Sequence, residues 1–198
     1  MGLASFLVMF FHDQYEISKI AAGTLTAVCV FSGSMARPLG GFLSDRYGGV
    51  RILTAVLALA ALGLLGIATL PSIRLAVPLI FATMGILGLG NGSVFQLVPL
   101  RFKEEIGVIT GIVGAAGGIG GFFLPSILGY LKDQTGSFSG GFSAFGATSL
   151  ICAGTLVLVS RSWEGVFVGQ GGKAVPKTPQ SLAPPMLAPR PEPVEASA

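Results

Sequence analysis

An all-α transmembrane helix bundle is the fold class this sequence predicts, and three observations predict it. Of the 198 residues, 52% are hydrophobic and only 11% charged, where soluble proteins carry about a quarter charged residues; the mean hydropathy is +0.78. Thirty glycines lie in this apolar background, and small residues let membrane helices approach closely where hydrophobicity alone cannot drive them together. Finally, the charges are spaced so that uncharged runs of the length of a membrane span, about 20 residues, recur along the chain.

In chain order, the first run, "MGLASFLVMFF", has 11 residues and rises only about 16 Å as a helix, too little to cross a bilayer. It has no basic n-region, and "HDQYEIS" follows it instead of a small-residue cleavage site, so a signal peptide does not fit. It reads as the back end of a helix whose front is missing, with His12 in an external loop. Five runs then qualify as complete spans: Ile20 to Ser44 with Arg37 inside it, Ile52 to Ser72, Leu75 to Leu100, Ile106 to Leu131, and Gln134 to Ser160. The expectation is five complete spans plus a truncated first one, over residues 1–163, cut from a longer protein.

Lys and Arg near the span ends set orientation. Arg46, Arg51, Arg101, Lys103, Arg161, Lys173 and Lys177 fall on one side and Lys19, Arg74 and Lys132 on the other, which puts the first side and the carboxyl terminus in the cytoplasm of a cell-membrane protein. The same bias explains the net charge of +3, so no nucleic-acid partner is inferred. Residues 164–198 hold seven of the twelve prolines and too little apolar surface to offset ordering entropy; they are expected to form a disordered cytoplasmic tail.

Arg37 lies 17 residues into its run, where an arginine costs about 2.5–3.5 kcal/mol on translocon scales. Either the helix ends near Arg37, helped by Pro38, and the side chain snorkels to the interface, or the arginine faces a polar cavity inside the bundle. The second reading is preferred, because the run stays apolar through Leu39, Phe42 and Leu43. A guanidinium there is a permanently charged planar fork suited to a small oxyanion. At comparable depth two spans later, "GILGLGNGSVFQLVPLRF" carries Asn91 between Gly90 and Gly92. Its amide would either complete an anion shell or make an interhelical hydrogen bond; Ser93 and Gln96 are weaker candidates of the same kind. In the next span Gly107, Gly111, Gly114, Gly118 and Gly121 recur at spacings of 4, 3, 4 and 3, which places them on one face, expected to be a groove for static packing or for a sliding helix.

Three stretches resemble the nitrate/nitrite porter branch of the major facilitator superfamily. "RPLGGFLSDRYGGVR" is similar to the superfamily's cytoplasmic gate motif, with Gly41, Asp45, Arg46, Gly48 and Arg51 in the expected places. "GLGNGSVFQLVPLRF" and "TGIVGAAGGIGGFFLP" resemble the branch's glycine signature, here Gly111, Gly114, Gly117, Gly118, Gly120 and Gly121, and the helix before it. The resemblance implies that the chain covers helices seven to twelve, the carboxyl-terminal half of a transporter. It implies that Arg37 is this half's contribution to a central nitrate or nitrite site, whose partner arginine lies in the missing amino-terminal half, and that the halves work by alternating access. Where some members carry an asparagine in the signature this chain has Gly118, which leaves Asn91 as the nearest amide. Asp45 would latch the outward-open state through nearby arginines, or simply cap the following helix.

A transporter of another small solute would keep the gate motif, and a membrane scaffold would need neither Arg37 nor Asn91; both remain open on sequence. No Asp, Glu or His lies within the five runs, which favours anion exchange over proton symport. Cys29 and Cys152 fall in apolar runs and His12 is the lone histidine, so no disulfide, metal, cofactor or enzymatic nucleophile and base pair is expected.

Overall fold

The computed structural model describes residues 2–101 and 105–163. Six helices follow in order: α1 (Gly2–Tyr15), α2 (Lys19–Tyr47), α3 (Gly49–Ala68), α4 (Ile73–Arg101), α5 (Ile106–Thr135) and α6 (Ser139–Trp163). Helices α2 to α6 each contain a segment long and apolar enough to cross a membrane, so this is a multi-pass membrane protein built as an all-helical bundle. The composition of residues 164–198 was the ground for expecting a tail; that stretch lies outside the described residues.

Two turns require glycine. Gly48, at φ 94° and ψ 125°, joins α2 to α3 as a single residue, in a region of backbone space that is open to glycine and strained for other residues. Gly136, at φ 68°, ends α5 with its N–H donating to the Lys132 carbonyl, the left-handed C-cap expected of glycine. These positions mark the two ends of the bundle, called here the Gly48 end and the Gly136 end.

At the Gly136 end the core is aromatic. Phe6, Leu7, Phe10 and Phe11 of α1 are all buried. The Phe10 ring stands edge-on to Phe138 at 5.2 Å, to Phe142 at 5.1 Å and to Tyr15 at 5.6 Å, the arrangement that aromatic quadrupoles favour. Tyr15 donates its hydroxyl to the Pro71 carbonyl at 2.8 Å, and burial pushes its pKa up. Lys132 and Asp13 form an ion pair that ties α5 to α1. Along its length α3 is clasped between α4 and α6: near its end a Cβ at Gly66 would meet Leu79 at 3.1 Å, and at its middle Ser149 of α6 donates to the Leu57 carbonyl at 2.8 Å.

Each helix α2 to α6 departs from its uncharged run at one end or both, and three departures from the sequence reading have a clear local cause. Helix α3 spans Gly49–Ala68 instead of 52–72, because Arg51 projects from an exposed face of the first turn while Leu70, at φ 51°, and Pro71 form the connection. Gln134 and Thr135 belong to α5, not to the last span, since the chain turns at Gly136. His12 is not in a loop but in the last turn of α1, where its Nδ1 donates to the Ile17 carbonyl at 2.7 Å.

Candidate functional site

Arg37 does not end its helix. α2 runs on through Pro38 for a further ten residues to Tyr47, so a helix that stops at the arginine is excluded. Its position is four residues past the midpoint of this 29-residue helix, about 6 Å along the axis. Pro38 carries no N–H, so the Ser34 carbonyl one turn earlier lacks its i+4 donor, and Ser34 is exposed beside the arginine. Phe31, Met35, Leu39 and Phe42 are all exposed and recur on one face of α2, the face suited to lipid. Arg37 lies about 155° around the helix from that face, at 3.6 residues per turn. Its side chain is exposed yet turned away from the apolar surface.

What Arg37 touches is set by its backbone. Helices α2 and α4 run parallel and meet along a seam of small residues: Gly33, Gly40, Gly88 and Gly92 each leave no room for a Cβ. A Cβ at Gly33 would be 2.9 Å from the Met84 carbonyl oxygen, and one at Gly92 would overlap the Arg37 carbonyl oxygen and stand 3.2 Å from the Arg37 Cα. Gly92 therefore rests directly on the Arg37 backbone, and Asn91, its neighbour in sequence, lies at the same level. Like Arg37, Asn91 is four residues past the midpoint of a 29-residue helix.

The two side chains are not hydrogen-bonded to each other, and among the described residues neither makes a hydrogen bond or ion pair. Asn91 is exposed. It continues the face of α4 that carries Val77, Ile80 and Met84, which packs into the aromatic core at the Gly136 end and is open at Asn91's level. By helical geometry this face and Arg37 fall on the same flank of the α2–α4 pair. The interhelical hydrogen bond weighed for Asn91 belongs instead to Ser93, which is fully buried and donates to the Leu89 carbonyl at 2.9 Å and the Gly40 carbonyl at 3.2 Å. The Gln96 side chain lies outside the described residues. The arrangement presents one cation and one amide, at one depth, to a shared space: donors for a small anion with little else to hold it.

At the Gly48 end the residues expected to form a gate motif gather around the α2–α3 turn. Gly41 is half-buried, Gly48 buried, and Asp45, Arg46 and Arg51 are exposed; the Arg46 guanidinium sits 5.7 Å over the Tyr47 ring. Asp45 does not cap the following helix. It lies in the last turn of α2, and the N-cap of α3 is Gly48, with no side-chain hydrogen bond. A carboxylate at a helix C-terminus faces the negative end of the dipole, which favours pairing with nearby cations.

The glycine face of α5 meets nothing within the described residues. No atom lies within 4 Å of a Cβ built at Gly107, Gly111, Gly114, Gly117, Gly118 or Gly120, and Gly121 is half-buried. Static packing, one of the two roles expected for this stripe, is therefore not made by another helix among the described residues. α5 is held at the Gly136 end, by Leu124, Leu128 and the Lys132–Asp13 pair.

Residues 1–191 match the profile of the Major Facilitator Superfamily. The chain belongs to that superfamily. Relatives are similar at about one residue in three. The nitrite extrusion protein of Bacillus subtilis (strain 168) is 34% identical over 162 residues, 80% of this chain and 40% of that protein. A probable nitrate transporter, NarT, of Staphylococcus carnosus (strain TM300) is 34% identical over 168 residues, 79% of this chain and 41% of the relative. A probable nitrate/nitrite antiporter, NarK1, of Thermus thermophilus is 32% identical over 155 residues, 69% of this chain and 35% of the relative. The chain thus spans about two fifths of the length of the curated relatives it matches.

Proposed function

We propose that this superfamily member is the carboxyl-terminal bundle of a nitrate/nitrite transporter, with Arg37 as its anion ligand and Asn91 completing the shell. The single observation that carries the reading is the placement of Arg37: past the middle of an unbroken membrane helix, turned away from the apolar face, and without a partner among the described residues. A cation at membrane depth without a counter-ion is costly; a small oxyanion that enters and leaves removes that cost only while bound. The names of the relatives suggest the anion, and their greater length leaves room for the amino-terminal half that the family resemblance implies, with an arginine to face this one.

Transport then follows from two half-bundles rocking about a mid-membrane site. With the anion held between two guanidinium groups the site approaches neutrality and the halves can close over it; empty, the two like charges oppose closure. Asp45, Arg46 and Arg51 at the Gly48 end, which the charge bias places in the cytoplasm together with the carboxyl terminus, form the gate. The exposed glycine face of α5 is the surface on which a helix of the other half would lie.

The test is Arg37→Lys in the transporter in its native membrane. Lysine keeps the charge but not the planar fork. Loss of one of two charge-assisted hydrogen bonds, worth about 1.5–3 kcal/mol, raises the apparent KM for nitrate by about 10- to 150-fold. Unchanged nitrate uptake would remove Arg37 from the site. The 198-residue chain alone, reconstituted in liposomes, is expected to take up no more nitrate than empty liposomes, because it supplies one wall of the cavity.

A further inference from the structure

The seam between α2 and α4 does more than hold two helices together. Of its four crowded glycines, only Gly92 rests on the residue that carries the intramembrane charge. We propose that Gly92 is a positioning residue for anion binding: by letting α4 settle on the Arg37 carbonyl, it sets the depth and rotation of the guanidinium relative to the Asn91 amide. This inference rests on the reading of Arg37 as the anion ligand.

Three observations combine. The contact is backbone to backbone, so it admits no rotamer adjustment: a methyl group at Gly92 meets the Arg37 carbonyl oxygen, its carbonyl carbon at 2.9 Å and its Cα at 3.2 Å, all nearer than the ~3.5 Å of an ordinary carbon contact. It falls where α2 is least able to hold its own geometry. Pro38 removes one helical hydrogen bond immediately after Arg37 and disfavours the helical backbone at Arg37 itself. Lastly, the register is pinned on both sides, by Gly88 against Gly33 and by the Ser93 hydroxyl donating to the Gly40 carbonyl at 3.2 Å. An arginine before a proline in a membrane helix is thereby braced from outside, by a neighbour adjacent in sequence to the second ligand. The distance between a planar cation and an amide donor decides whether one small anion can contact both, and a shift of about 1 Å is enough to break a hydrogen bond.

The experiment measures nitrate uptake kinetics and membrane abundance for Gly92→Ala, Gly88→Ala and Arg37→Lys in the transporter in its native membrane. Gly88→Ala introduces the same methyl group into the same seam, against the Gly33 carbonyl one turn before the arginine and not against Arg37 itself. The expected result is that Gly92→Ala raises the apparent KM for nitrate tenfold or more, with maximal rate per molecule within twofold. Gly88→Ala lowers abundance while the protein that accumulates keeps its KM within threefold. An equal rise in KM for both variants, or none for Gly92→Ala at normal abundance, overturns the inference while a raised KM for Arg37→Lys leaves the anion-site reading standing. Unchanged uptake by Arg37→Lys overturns both. Should Gly92→Ala not accumulate, Ser93→Ala serves in its place: it removes only the hydroxyl that bridges to Gly40, and is expected to raise KM two- to fivefold, an unchanged KM again overturning the inference.

Discussion

Alanine substitutions at two glycines of one helix, Gly40 and Gly23, should move stability in opposite directions. In an isolated helix the change to alanine stabilises by roughly 0.5–1 kcal/mol at either position. At Gly23 nothing lies within 4 Å of the new methyl group, so that gain should appear in full. At Gly40 a Cβ would overlap the Leu89 carbonyl oxygen and stand 2.7 Å from its carbon and 2.8 Å from its Cα, so α2 and α4 must part by about 1 Å to restore normal contact. Gaps of that size forfeit a quarter to a half of the dispersion energy between the facing atoms. For a crossing with about as many atom pairs as one buried leucine makes, this is roughly 2–3 kcal/mol. The Ser93 hydroxyl also loses the Gly40 carbonyl, adding about 0.5–1.5 kcal/mol. Net of helix propensity, Gly40→Ala should destabilise by about 2–3 kcal/mol, or about 4–12 °C in midpoint for a chain of this size.

The chain provides its own reporter. Cys29 is buried and Cys152 exposed, so in a Cys152→Ser background a thiol-reactive fluorophore labels Cys29 only as the bundle opens. Thermal labelling curves in detergent then give the midpoints. A Gly40→Ala midpoint within 1 °C of the parent, or a Gly23→Ala midpoint lowered as far as that of Gly40→Ala, would refute the claim that the seam is closed by direct backbone contact.

Two further predictions use the same assay. Gly48→Ala forces a side chain onto the φ 94° turn between α2 and α3 and should cost about 1–3 kcal/mol; an unshifted midpoint would mean that the turn relaxes freely. Phe10→Ala removes a fully buried ring packed against Phe138, Phe142 and Tyr15 and should cost about 3–5 kcal/mol, a loss below 1 kcal/mol showing that α1 does not anchor the Gly136 end.

The candidate site was picked out by polarity along the chain. A charge or an amide inside an apolar run is unfavourable enough to stand out by itself, and Arg37 and Asn91, each four residues past the midpoint of its helix, prove to lie at one level. Span ends were less legible, because an uncharged run does not show where backbone turns: Gln134 and Thr135 are uncharged but precede the Gly136 break. Which of its two possible roles Ser93 plays was left open for a related reason. Its hydroxyl bonds across to Gly40, 53 residues away in sequence, and nothing local distinguishes a hydroxyl that bridges helices from one that lines a cavity.

Composition and the spacing of charges determined by themselves that this protein is a bundle of membrane helices with an arginine inside one of its apolar runs. Both are consequences of solvent: hydrocarbon rejects unpaired backbone and charge, residue by residue, whatever the neighbours. Which helices touch was decided only in three dimensions, since lipid and leucine are equally apolar and give no preference for one partner over another. There shape is the arbiter. The glycines of α2 and α4 interlock and bring Asn91 to the level of Arg37, while the run of glycines from Gly107 to Gly120 in α5 meets no other helix among the described residues.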